Sequence, residues 1–362
     1  MKINYSYLKI CLTICIRGHN LNDMSHIPRI SMAAPDHYCI PERPANKFQL
    51  LGRFRQEANP DKFHRETIEQ LNNLRFIFME LGIDVVVLPA KEGLDDLVFE
   101  ADSYIPLQIQ DPETGVIQDI IILSKFAHAD RQKEVEHHRQ YLEKHWPNAK
   151  FIEAPFNLEG TGDHVYDNFR GVIWAGSPPC EKAGDIAAGR TDPRAHKWLQ
   201  DVTGIPVIGL EMVEPFFHVD TALAPLPSGH MVVYPNGFSA ESYDLFKQRA
   251  FRDYGLDPDK YLIEADAEDA QKYACNLQCF GEDIVMPECS QELQDRLHNI
   301  GYNVHTTPMD NLIASGGGVH CCTNRWDVRH ITGGLAAKTG IALPKWYQQI
   351  LSGKATSDEG NT

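Results

Sequence analysis

Short apolar runs alternate with amphipathic stretches along most of the chain, and the alternation repeats. Each repeat predicts a short apolar strand, a turn, an amphipathic helix, a second apolar strand, and a loop that ends in a polar residue. In the first repeat the predicted strands are Ile30–Ala34 and Asp84–Leu88, and the predicted helix runs from about Asp61 to Leu81. Gly82 follows this helix as a stop signal. The pattern therefore predicts an α/β protein.

Four more passes through the same pattern follow. Their predicted strand pairs are Ile120–Leu123 with Phe151–Ile152, Val172–Trp174 with Val207–Leu210, Met231–Tyr234 with Tyr261–Glu264, and Ile284–Met286 with Val304–Thr306. The five loops end near residues 102, 163, 218, 276 and 321, at intervals of 45 to 61 residues. Five repeats that closed on themselves would bring these loop ends to one central point. A plain α/β sandwich would alternate strands and helices in the same way, so the pattern leaves both arrangements open.

The acidic composition narrows the range of partners. The 362 residues include 34 Lys and Arg against 50 Asp and Glu, which gives a formal net charge of −16. A surface of that sign repels phosphate, so we expect neither nucleic acid nor an anionic membrane as a partner. Apolar residues make up 43% and charged residues 23% of the chain, which excludes a disordered or fibrous protein. A small cationic ligand would be attracted to such a surface.

Cysteine usage and the chain ends give expectations about compartment and domains. Nine cysteines, an odd number, are scattered without paired CxxC motifs, which favours a reduced, cytoplasmic compartment and argues against a structural zinc site. No run of 18 apolar residues is present, so we expect no membrane span. We expect residues 1–26 to be an N-terminal extension of uncertain start, residues 27–330 to form one domain, and residues 331–362 to be a C-terminal tail.

Cys321 is the most promising reactive residue. It follows the glycines 316–318, which allow the backbone to come close to a ligand. A thiolate is a strong nucleophile once its pKa is lowered or a base stands beside it. The alternative is that Cys321 and Cys322 form a small buried hydrophobic pair. A zinc ion on His320 and these two cysteines is disfavoured, because adjacent residues of an extended chain point to opposite faces.

His218 and Asp220 are a second candidate pair. In an extended segment both side chains would share a face, which would place an imidazole beside a carboxylate. This arrangement suits a general acid and base next to a binding group. The alternative for His218 is a structural histidine at a strand end. His137 and His138 lie on a predicted helix, where we expect a solvated face.

Carboxylates dominate the other loop ends. Glu159 and Asp163 flank the sequence Gly160-Thr-Gly162, which matches no phosphate-binding motif, and nearby carboxylates would repel phosphate. The alternative for this segment is an ordinary glycine-rich turn. Asp102 follows a predicted strand at Val98–Phe99.

The combination of groups points to a cationic substrate. Arg131 opens a predicted helix, where it serves the site or pairs with Glu134 or Glu136 on the surface. Carboxylates beside a thiol suit an acyl-transfer site poorly, because an oxyanion needs positive donors. They suit a guanidinium, whose N–H groups match carboxylates in bidentate fashion. A bound cation would also favour the thiolate of Cys321.

In this order and combination, the loop motifs resemble those of the guanidino-group-modifying superfamily. The motifs are Ala34-Pro-Asp-His-Tyr38, Leu97-Val-Phe-Glu-Ala-Asp102, Glu159-Gly-Thr-Gly-Asp163, Phe217-His-Val-Asp-Thr221, Ala274-Cys-Asn276 and Gly317-Gly-Val-His-Cys321. The resemblance covers roughly residues 30–325. It implies the pentein fold, a five-fold pseudo-symmetric propeller of ββαβ units, with residues 27–330 as the catalytic domain.

The resemblance also implies roles for individual residues. Cys321 would be the nucleophile, His218 the proton donor and acceptor, and Glu159 the group that orients or assists the histidine. Asp102 and Asp220 would bind the guanidinium, and Arg131 would bind the substrate α-carboxylate. The remaining implied substrate-binding residues are Asp163 and Asn276. Neither a metal nor an organic cofactor is implied.

The implied activity is hydrolysis of a guanidino C–N bond in arginine or a methylated arginine, with citrulline as product and a covalent thiouronium intermediate. Arginine dihydrolases (ornithine as product), amidinotransferases and non-catalytic pentein binding proteins are the alternatives.

The opening of the chain is most similar to the cyanobacterial arginine dihydrolases, but those enzymes carry Asn where this chain has Asp102. Asp is the pattern of the deiminases and dimethylarginine hydrolases, although the latter have an acidic residue in place of Ala101. The implied partner is a small guanidino substrate, and a homo-oligomer is among the options. Residues 39–48 are either a loop near the substrate or a plain connection.

Overall fold

The computed structural model describes residues 27–44, 46–110, 114–178 and 190–353. The predicted extension, residues 1–26, lies outside the described residues, as do residues 354–362 of the predicted tail. The strands within these ranges are β1 (Arg29–Ala33), β2 (Asp84–Leu88), β3 (Tyr104–Gln110), β4 (Ile117–Leu123), β5 (Lys150–Glu153), β6 (His164–Asp167), β7 (Val172–Ser177), β8 (Val207–Glu211), β9 (Leu223–Pro225), β10 (Met231–Val233), β11 (Leu262–Glu264), β12 (Gln278–Phe280), β13 (Asp283–Pro287), β14 (Asn303–Thr307) and β15 (Asn324–Arg325).

The helices begin where the sequence supplies capping groups. Side chains of Asp192, Ser239 and Ser290 accept hydrogen bonds from first-turn N–H groups, which would otherwise lack partners. The α-helices of the described ranges are α1 (Lys47–Ala58), α2 (Pro60–Glu80), α3 (Gln132–His145), α4 (Pro193–Thr203), α5 (Ala240–Ala250), α6 (Pro258–Tyr261), α7 (Ala267–Gln271), α8 (Gln291–Asn299), α9 (Asp310–Ile313), α10 (Gly334–Lys338) and α11 (Lys345–Leu351).

The strands form five three-stranded sheets of one common design. In each sheet the central strand pairs antiparallel with one neighbour and parallel with the other; in the sheet β3-β4-β5, for example, Tyr104 lies opposite Leu123 and Ile120 opposite Lys150. A crossover that contains a helix joins each parallel pair. Near the end of the described chain, β15 pairs with β1 and completes the first sheet. The predicted mixed α/β class is confirmed, and all ten strands predicted from the pattern are present.

The pattern itself missed one strand in every sheet, namely β3, β6, β9, β12 and β15. These strands are short or interrupted: β15 has two residues, and β3 contains Pro106. A search for apolar runs passes over such segments. Each of them begins one to three residues after a loop residue singled out in the sequence. The missed strands therefore anchor the candidate site loops directly.

Helix α1 was also missed. Its N-cap is Asn46, whose side chain accepts from the backbone N–H of Gln49 at 2.8 Å. Leu51 and Phe54 are more than 60% exposed, so the helix lacks the apolar face that a periodicity search detects. A side chain at Gly52 would collide with the carbonyl of Ala314, which shows that α1 packs closely on the loop leading to the site.

Two local expectations were wrong. Val98–Phe99 lies in a turn rather than a strand, and Asp102 belongs to a 3₁₀ turn, Glu100–Ser103. The segment after His218 is another 3₁₀ turn, Val219–Thr221, instead of an extended chain. The alternation of strand faces therefore does not bring His218 and Asp220 together; the tight turn does, and Thr221 Oγ1 donates to the carbonyl of His218 at 2.6 Å to hold it.

The segment after β15 packs on the sheets. The hydroxyl of Tyr347 accepts from the backbone N–H of Gly333 and donates to the carbonyl of Gly171, both at 2.9 Å, and its ring is buried. The division into residues 27–330 and 331–362 stays a prediction. Among the described residues, no helix is both long and apolar enough to cross a membrane.

Candidate active site

Cys321 lies in a turn that Asn276 holds from the neighbouring loop. The side-chain oxygen of Asn276 accepts hydrogen bonds from the backbone N–H groups of Gly318 (3.1 Å) and Cys321 (3.0 Å), and its amide nitrogen donates to Cys321 Sγ (3.1 Å). A Cβ at position 318 would lie 2.9 Å from the same oxygen, closer than side chains tolerate. The glycine run therefore lets the Cys321 turn approach Asn276.

His218 is buried between two carboxylates. Its Nε2 donates to Oε2 of Glu159 at 2.9 Å, and its Nδ1 lies 3.5 Å from Oδ1 of Asp102. Burial alone would lower the pKa of the imidazole, but the charge of Asp102 and the hydrogen bond to Glu159 outweigh it and raise the pKa of His218 to about 9. The imidazole is therefore protonated at neutral pH and can act as an acid.

Asp102 and Asp220 each have one buried oxygen that forms no hydrogen bond with the described residues. Both Oδ1 atoms are in this state, and so is Nδ1 of His218. The other oxygen of Asp220 accepts from Cys321 Sγ at 3.0 Å. Buried polar groups are normally hydrogen-bonded, and leaving one without a partner is costly. Two such oxygens beside a thiol and an imidazole are suited to a cation rich in N–H donors.

The same carboxylates keep Cys321 protonated in the ligand-free protein. Burial raises the pKa of the Cys321 thiol, and the negative charges of Asp220 and Asp102 raise it further. Burial also raises the pKa of Asp220 to about 7, although the charge of His218 opposes this shift. A bound cation would offset the negative charges around Cys321 and lower the pKa of its thiol, which favours the thiolate.

Glu159 is held ionised by two cations. Its Oε2 accepts from Nη1 of Arg190 at 3.1 Å in addition to His218. Burial opposes ionisation, but the charges of Arg190 and His218 hold the pKa of Glu159 well below its usual range. Asp163 lies behind the histidine: its Oδ1 accepts from the backbone N–H of Val219 at 3.2 Å, and burial raises its pKa. Its contacts support the turn that carries His218.

Arg131 is surrounded by carboxylates. Its Nε and Nη2 donate to the two oxygens of Glu134 at 2.9 and 2.8 Å, and its Nη1 donates to Oδ2 of Asp102 at 2.6 Å. Its guanidinium stacks 4.3 Å from the ring centroid of Phe126. Burial opposes the charge, but Glu134 and Asp102 raise the pKa of Arg131 well above its ordinary value. The expected pairing with Glu134 is present, but the expected surface position is wrong, because both side chains are buried. The role of Arg131 in binding a substrate stays a prediction.

A small cavity reaches Asp102, Arg131, His218 and Cys321, and several of its other lining residues were missed by the motifs. Asp96 accepts from Gln49 Nε2 at 3.2 Å, and Arg190 stacks 4.7 Å from the ring centroid of Phe217. Burial raises the pKa of Asp96, although Arg131 opposes this shift. The cavity is lined by Asn46, Gln49, Asp96, Phe99, Asp102, Arg131, Arg190, Phe217, His218, Ser315, Gly316 and Cys321. Asp96 stands just before the Leu97–Asp102 motif, whereas no motif marks Arg190.

Asn46 lies on the cavity wall. That residues 39–48 form a loop near the substrate stays a prediction.

The expectation for His138 was wrong. It is 1% exposed, and its Nε2 donates to Oε2 of Glu100 while its Nδ1 donates to the carbonyl of Glu134, at 2.9 and 2.8 Å. His138 precedes the buried Leu142 by one helical turn, which was the available signal for burial. Within the described ranges, no group of three His, Cys, Asp or Glu side chains is placed to hold a metal ion.

Comparison with known proteins finds similarity to arginine dihydrolases and to a dimethylarginine hydrolase. No protein-family model matches it. It is 29% identical over 299 residues to a bifunctional arginine dihydrolase/ornithine cyclodeaminase from Nostoc; the match covers 82% of this chain and 37% of that protein. It is 26% identical over 255 residues to the N(G),N(G)-dimethylarginine dimethylaminohydrolase of Mycobacterium tuberculosis, with 70% of this chain and 74% of that protein covered. The chain thus spans little more than a third of the bifunctional relative.

The fold comparison agrees. The product-bound N-terminal domain of ArgZ, an arginine dihydrolase from cyanobacteria, superposes with a TM-score of 0.71 at 25% identity, which covers 84% of this chain and 99% of that domain. These matches confirm the resemblance to the guanidino-group-modifying superfamily, and in particular to its arginine dihydrolases and dimethylarginine hydrolases.

Proposed function

We propose that the chain hydrolyses the guanidino group of arginine, with Cys321 as the nucleophile. The observation that carries this proposal is the pair of Asp102 and Asp220, whose unbonded oxygens lie in the same buried site as the thiol and the imidazolium of His218. The names of the relatives support the same chemistry, since they act on arginine or dimethylarginine. The substrate is a small cation, as the net charge favours.

The groups of the site fit a two-step reaction. The substrate guanidinium binds Asp102 and Asp220, and its positive charge promotes loss of the thiol proton of Cys321 to solvent. The thiolate attacks the guanidinium carbon while His218 gives its proton to the departing amine. Water then attacks the thiouronium carbon and gives one proton to His218, which restores the imidazolium. Collapse of the tetrahedral adduct breaks the C–S bond and releases the ureido product, and the second proton of the water goes to the Cys321 thiolate. Glu159 stabilises the charged imidazole throughout.

The rest of the cavity suits an amino acid. Arg131 and Arg190 line the cavity with guanidinium groups, which suit an α-carboxylate, and the buried Asp96 is suited to an α-ammonium group. Asn276 positions Cys321, and Asp163 supports the turn of His218; in this proposal both act through other residues and do not touch the substrate.

Arginine dihydrolase is the first candidate for the overall reaction, because the Nostoc protein and the ArgZ domain carry that name. In such an enzyme, citrulline formed by the first hydrolysis is hydrolysed again, which releases a second ammonia and carbon dioxide and leaves ornithine. The sequence had favoured citrulline as the end product, and the comparisons favour the dihydrolase alternative over it.

A single hydrolysis to citrulline is the second candidate, and Asp102 is the residue that favours it. The ureido group of citrulline is neutral and carries a carbonyl oxygen. A carboxylate offers acceptors only, whereas an amide side chain at the same position could donate a hydrogen bond to that oxygen. The carboxylate of Asp102 therefore suits the first, cationic substrate better than the second, neutral one.

The proposal extends to the symmetry of the fold, the compartment and the oligomeric state. The five similar sheets form a five-fold pseudo-symmetric ββαβ propeller around the cavity, with residues 27–330 as its catalytic domain. The free thiols among the described cysteines suit the cytosol. A homo-oligomer is compatible with this arrangement.

Product analysis tests the proposal. The protein and a Cys321→Ser control are incubated with arginine, asymmetric dimethylarginine and agmatine, and products are identified by mass spectrometry. Ornithine with two equivalents of ammonia identifies a dihydrolase, and citrulline with one equivalent of ammonia or dimethylamine identifies a single hydrolysis. Transfer to an added amine would identify an amidinotransferase. Absence of product from all three substrates would contradict the proposal and leave a binding protein.

A further inference from the structure

We propose that Arg131 occupies part of the guanidinium site in the ligand-free protein, and that a substrate gains this site by supplying a carboxylate that draws Arg131 away. Arg131 then selects substrates by exchange of partners, beyond its simple role as a carboxylate contact. This inference rests on the proposed function.

The geometry shows which part of the site is taken. A guanidinium bound in bidentate fashion to Asp102 needs both carboxylate oxygens. Oδ2 of Asp102 already accepts from Arg131 Nη1 at 2.6 Å, whereas Oδ1 has no hydrogen-bond partner among the described residues. The protein's own guanidinium therefore holds one of the two positions that a substrate guanidinium requires.

The other contacts of Arg131 allow its Nη1 to leave Asp102 while the rest of the guanidinium stays in place. Its Nε and Nη2 remain bonded to Glu134, a carboxylate that is 2% exposed, and its guanidinium stacks on the ring of Phe126. Nη1 is the corner of the guanidinium that Glu134 does not hold. A small rotation about the contact with Glu134 would move Nη1 from Asp102 to a ligand carboxylate in the same cavity.

The exchange keeps every charge paired when the substrate is a zwitterionic amino acid. Nη1 of Arg131 passes from Asp102 to the substrate carboxylate, and Asp102 passes from Arg131 to the substrate guanidinium. Arginine without its carboxylate, which is agmatine, supplies only the second partner. If agmatine displaced Arg131, Nη1 would remain in a buried site without an acceptor, and an unpaired charged donor is costly there. Arg131 therefore stays bonded to Asp102 in the presence of agmatine, and the guanidinium site remains partly occupied.

Substitution of Arg131 distinguishes this exchange from a plain carboxylate contact. In Arg131→Met we expect kcat/KM for arginine to fall about 100-fold, because a charged hydrogen bond to the substrate is lost. We expect kcat/KM for agmatine to rise about tenfold, since Oδ2 of Asp102 is freed. A plain contact predicts the loss on arginine with no change on agmatine, so an unchanged or lower agmatine value would overturn the proposal.

Two matched variants control for general effects of the substitution. Arg190→Met removes the other cavity guanidinium, which bonds Glu159 rather than Asp102, and should lower turnover of both substrates. Arg131→Lys keeps a cation that can still bond Asp102, so it should not raise turnover of agmatine. A tenfold rise in either variant would contradict a specific role of the Arg131–Asp102 contact.

A measurement on the unaltered protein decides the question if Arg131→Met does not fold. Propionate supplies the missing carboxylate, so it should raise the rate with subsaturating agmatine several-fold and lower the rate with arginine by competition. Sodium chloride at equal ionic strength is the control. Propionate that fails to accelerate agmatine turnover would overturn the exchange. Absence of products from arginine itself would instead contradict the proposed function, so the two failures are distinct.

Discussion

Two buried Arg–Asp pairs in this protein differ in how completely they are hydrogen-bonded. Arg170 is 0% exposed and donates to Asp167, to the carbonyl of Ala250 and to the carbonyl of Gly229 at 2.7 to 2.9 Å. Both oxygens of Asp167 accept hydrogen bonds, one of them from Trp174 Nε1 at 3.1 Å. This pair is saturated.

The pair of Arg131 and Asp102 is buried to a similar degree but is not saturated. Oδ1 of Asp102 has no hydrogen-bond partner among the described residues, and neither has Oδ1 of Asp220 nearby. Burying charge without full compensation is unfavourable, so such a cluster does not serve stability. The comparison shows that buried charged side chains indicate a ligand-binding site only where some of their polar atoms form no hydrogen bond within the protein.

The largest effect on activity should come from the thiol itself. Cys321→Ser replaces the nucleophile by a much weaker one, and we expect kcat/KM for arginine to fall by roughly a thousandfold or more. Cys322→Ala is the control, because that neighbouring thiol is fully buried and is not among the residues that line the cavity. Steady-state kinetics and thermal melting are measured on both. Comparable activity in Cys321→Ser and the parent protein would remove Cys321 from the mechanism.

The saturated pair should matter for stability and not for chemistry. Arg170→Met leaves Asp167 buried without its cation, and we expect a loss of about 3–5 kcal/mol in the free energy of unfolding. Turnover per folded molecule at low temperature should be unchanged. Urea unfolding followed by circular dichroism provides the measurement. A stability close to that of the parent protein would contradict the distinction between the two pairs.

Substitution of Asp220, near the Arg131–Asp102 pair, should have the reverse effect: activity should fall, whereas stability above pH 7 should not. Asp220→Asn removes a carboxylate that we place on the substrate, and kcat/KM should fall about 100-fold. The pKa of Asp220 is raised from an ordinary 3.8 to about 7, so the folded state binds this proton more tightly than the unfolded state, and stability falls as pH rises through that interval. Asn carries no such charge.

The Asn variant should therefore be more stable than the parent above pH 7, and this advantage should vanish below about pH 4. Thermal melting at pH 4 and pH 8 tests both limits. A lower melting temperature at pH 8 would mean that Asp220 is a structural residue like Asp167.

The smallest effect concerns the pH profile. His218 must be protonated to donate to the departing amine, so kcat/KM should decline as pH rises past about 9. Glu159→Gln removes the charge on which part of this raised pKa depends, and the alkaline limb should move to lower pH. A rate profile from pH 6 to 10 on both proteins measures the shift. An unmoved limb would show that Glu159 does not tune His218.

The sequence predicted which loop residues come together better than it predicted the local geometry that brings them together. Apolar runs were sufficient for the two parallel strands of each sheet. The central strands are largely buried, as in β7 and β13, whereas outer partners such as β2 and β5 are only partly buried. The third strand of each sheet is short or interrupted and gives no such signal, as the two residues of β15 and Pro106 in β3 show. His218 and Asp220 were expected to share a strand face, yet a 3₁₀ turn unites them.

The missed site residues share a physical reason. Arg190 and Asn46 reach the cavity because distant segments pack together, and no local pattern encodes that approach. Gln49 lies on α1. The apolar residues of this helix are exposed, so their spacing does not predict which face of the helix is buried. Motifs marked residues whose neighbouring glycines constrain the backbone, as at Cys321, and passed over residues that contribute a side chain alone.

The most direct test of the central claim is a covalent intermediate on Cys321. S-methyl-L-thiocitrulline carries a thiolate leaving group that departs without a proton from His218, so His218→Ala should complete the first step with it. This variant lacks the group that activates water for the second step, so the thiouronium should accumulate until the reaction is stopped with acid. Intact-protein and peptide mass spectrometry should then locate an amidine-bearing adduct on Cys321. An adduct on another residue, or unmodified Cys321 in protein that demonstrably binds S-methyl-L-thiocitrulline, would contradict nucleophilic attack by this thiol.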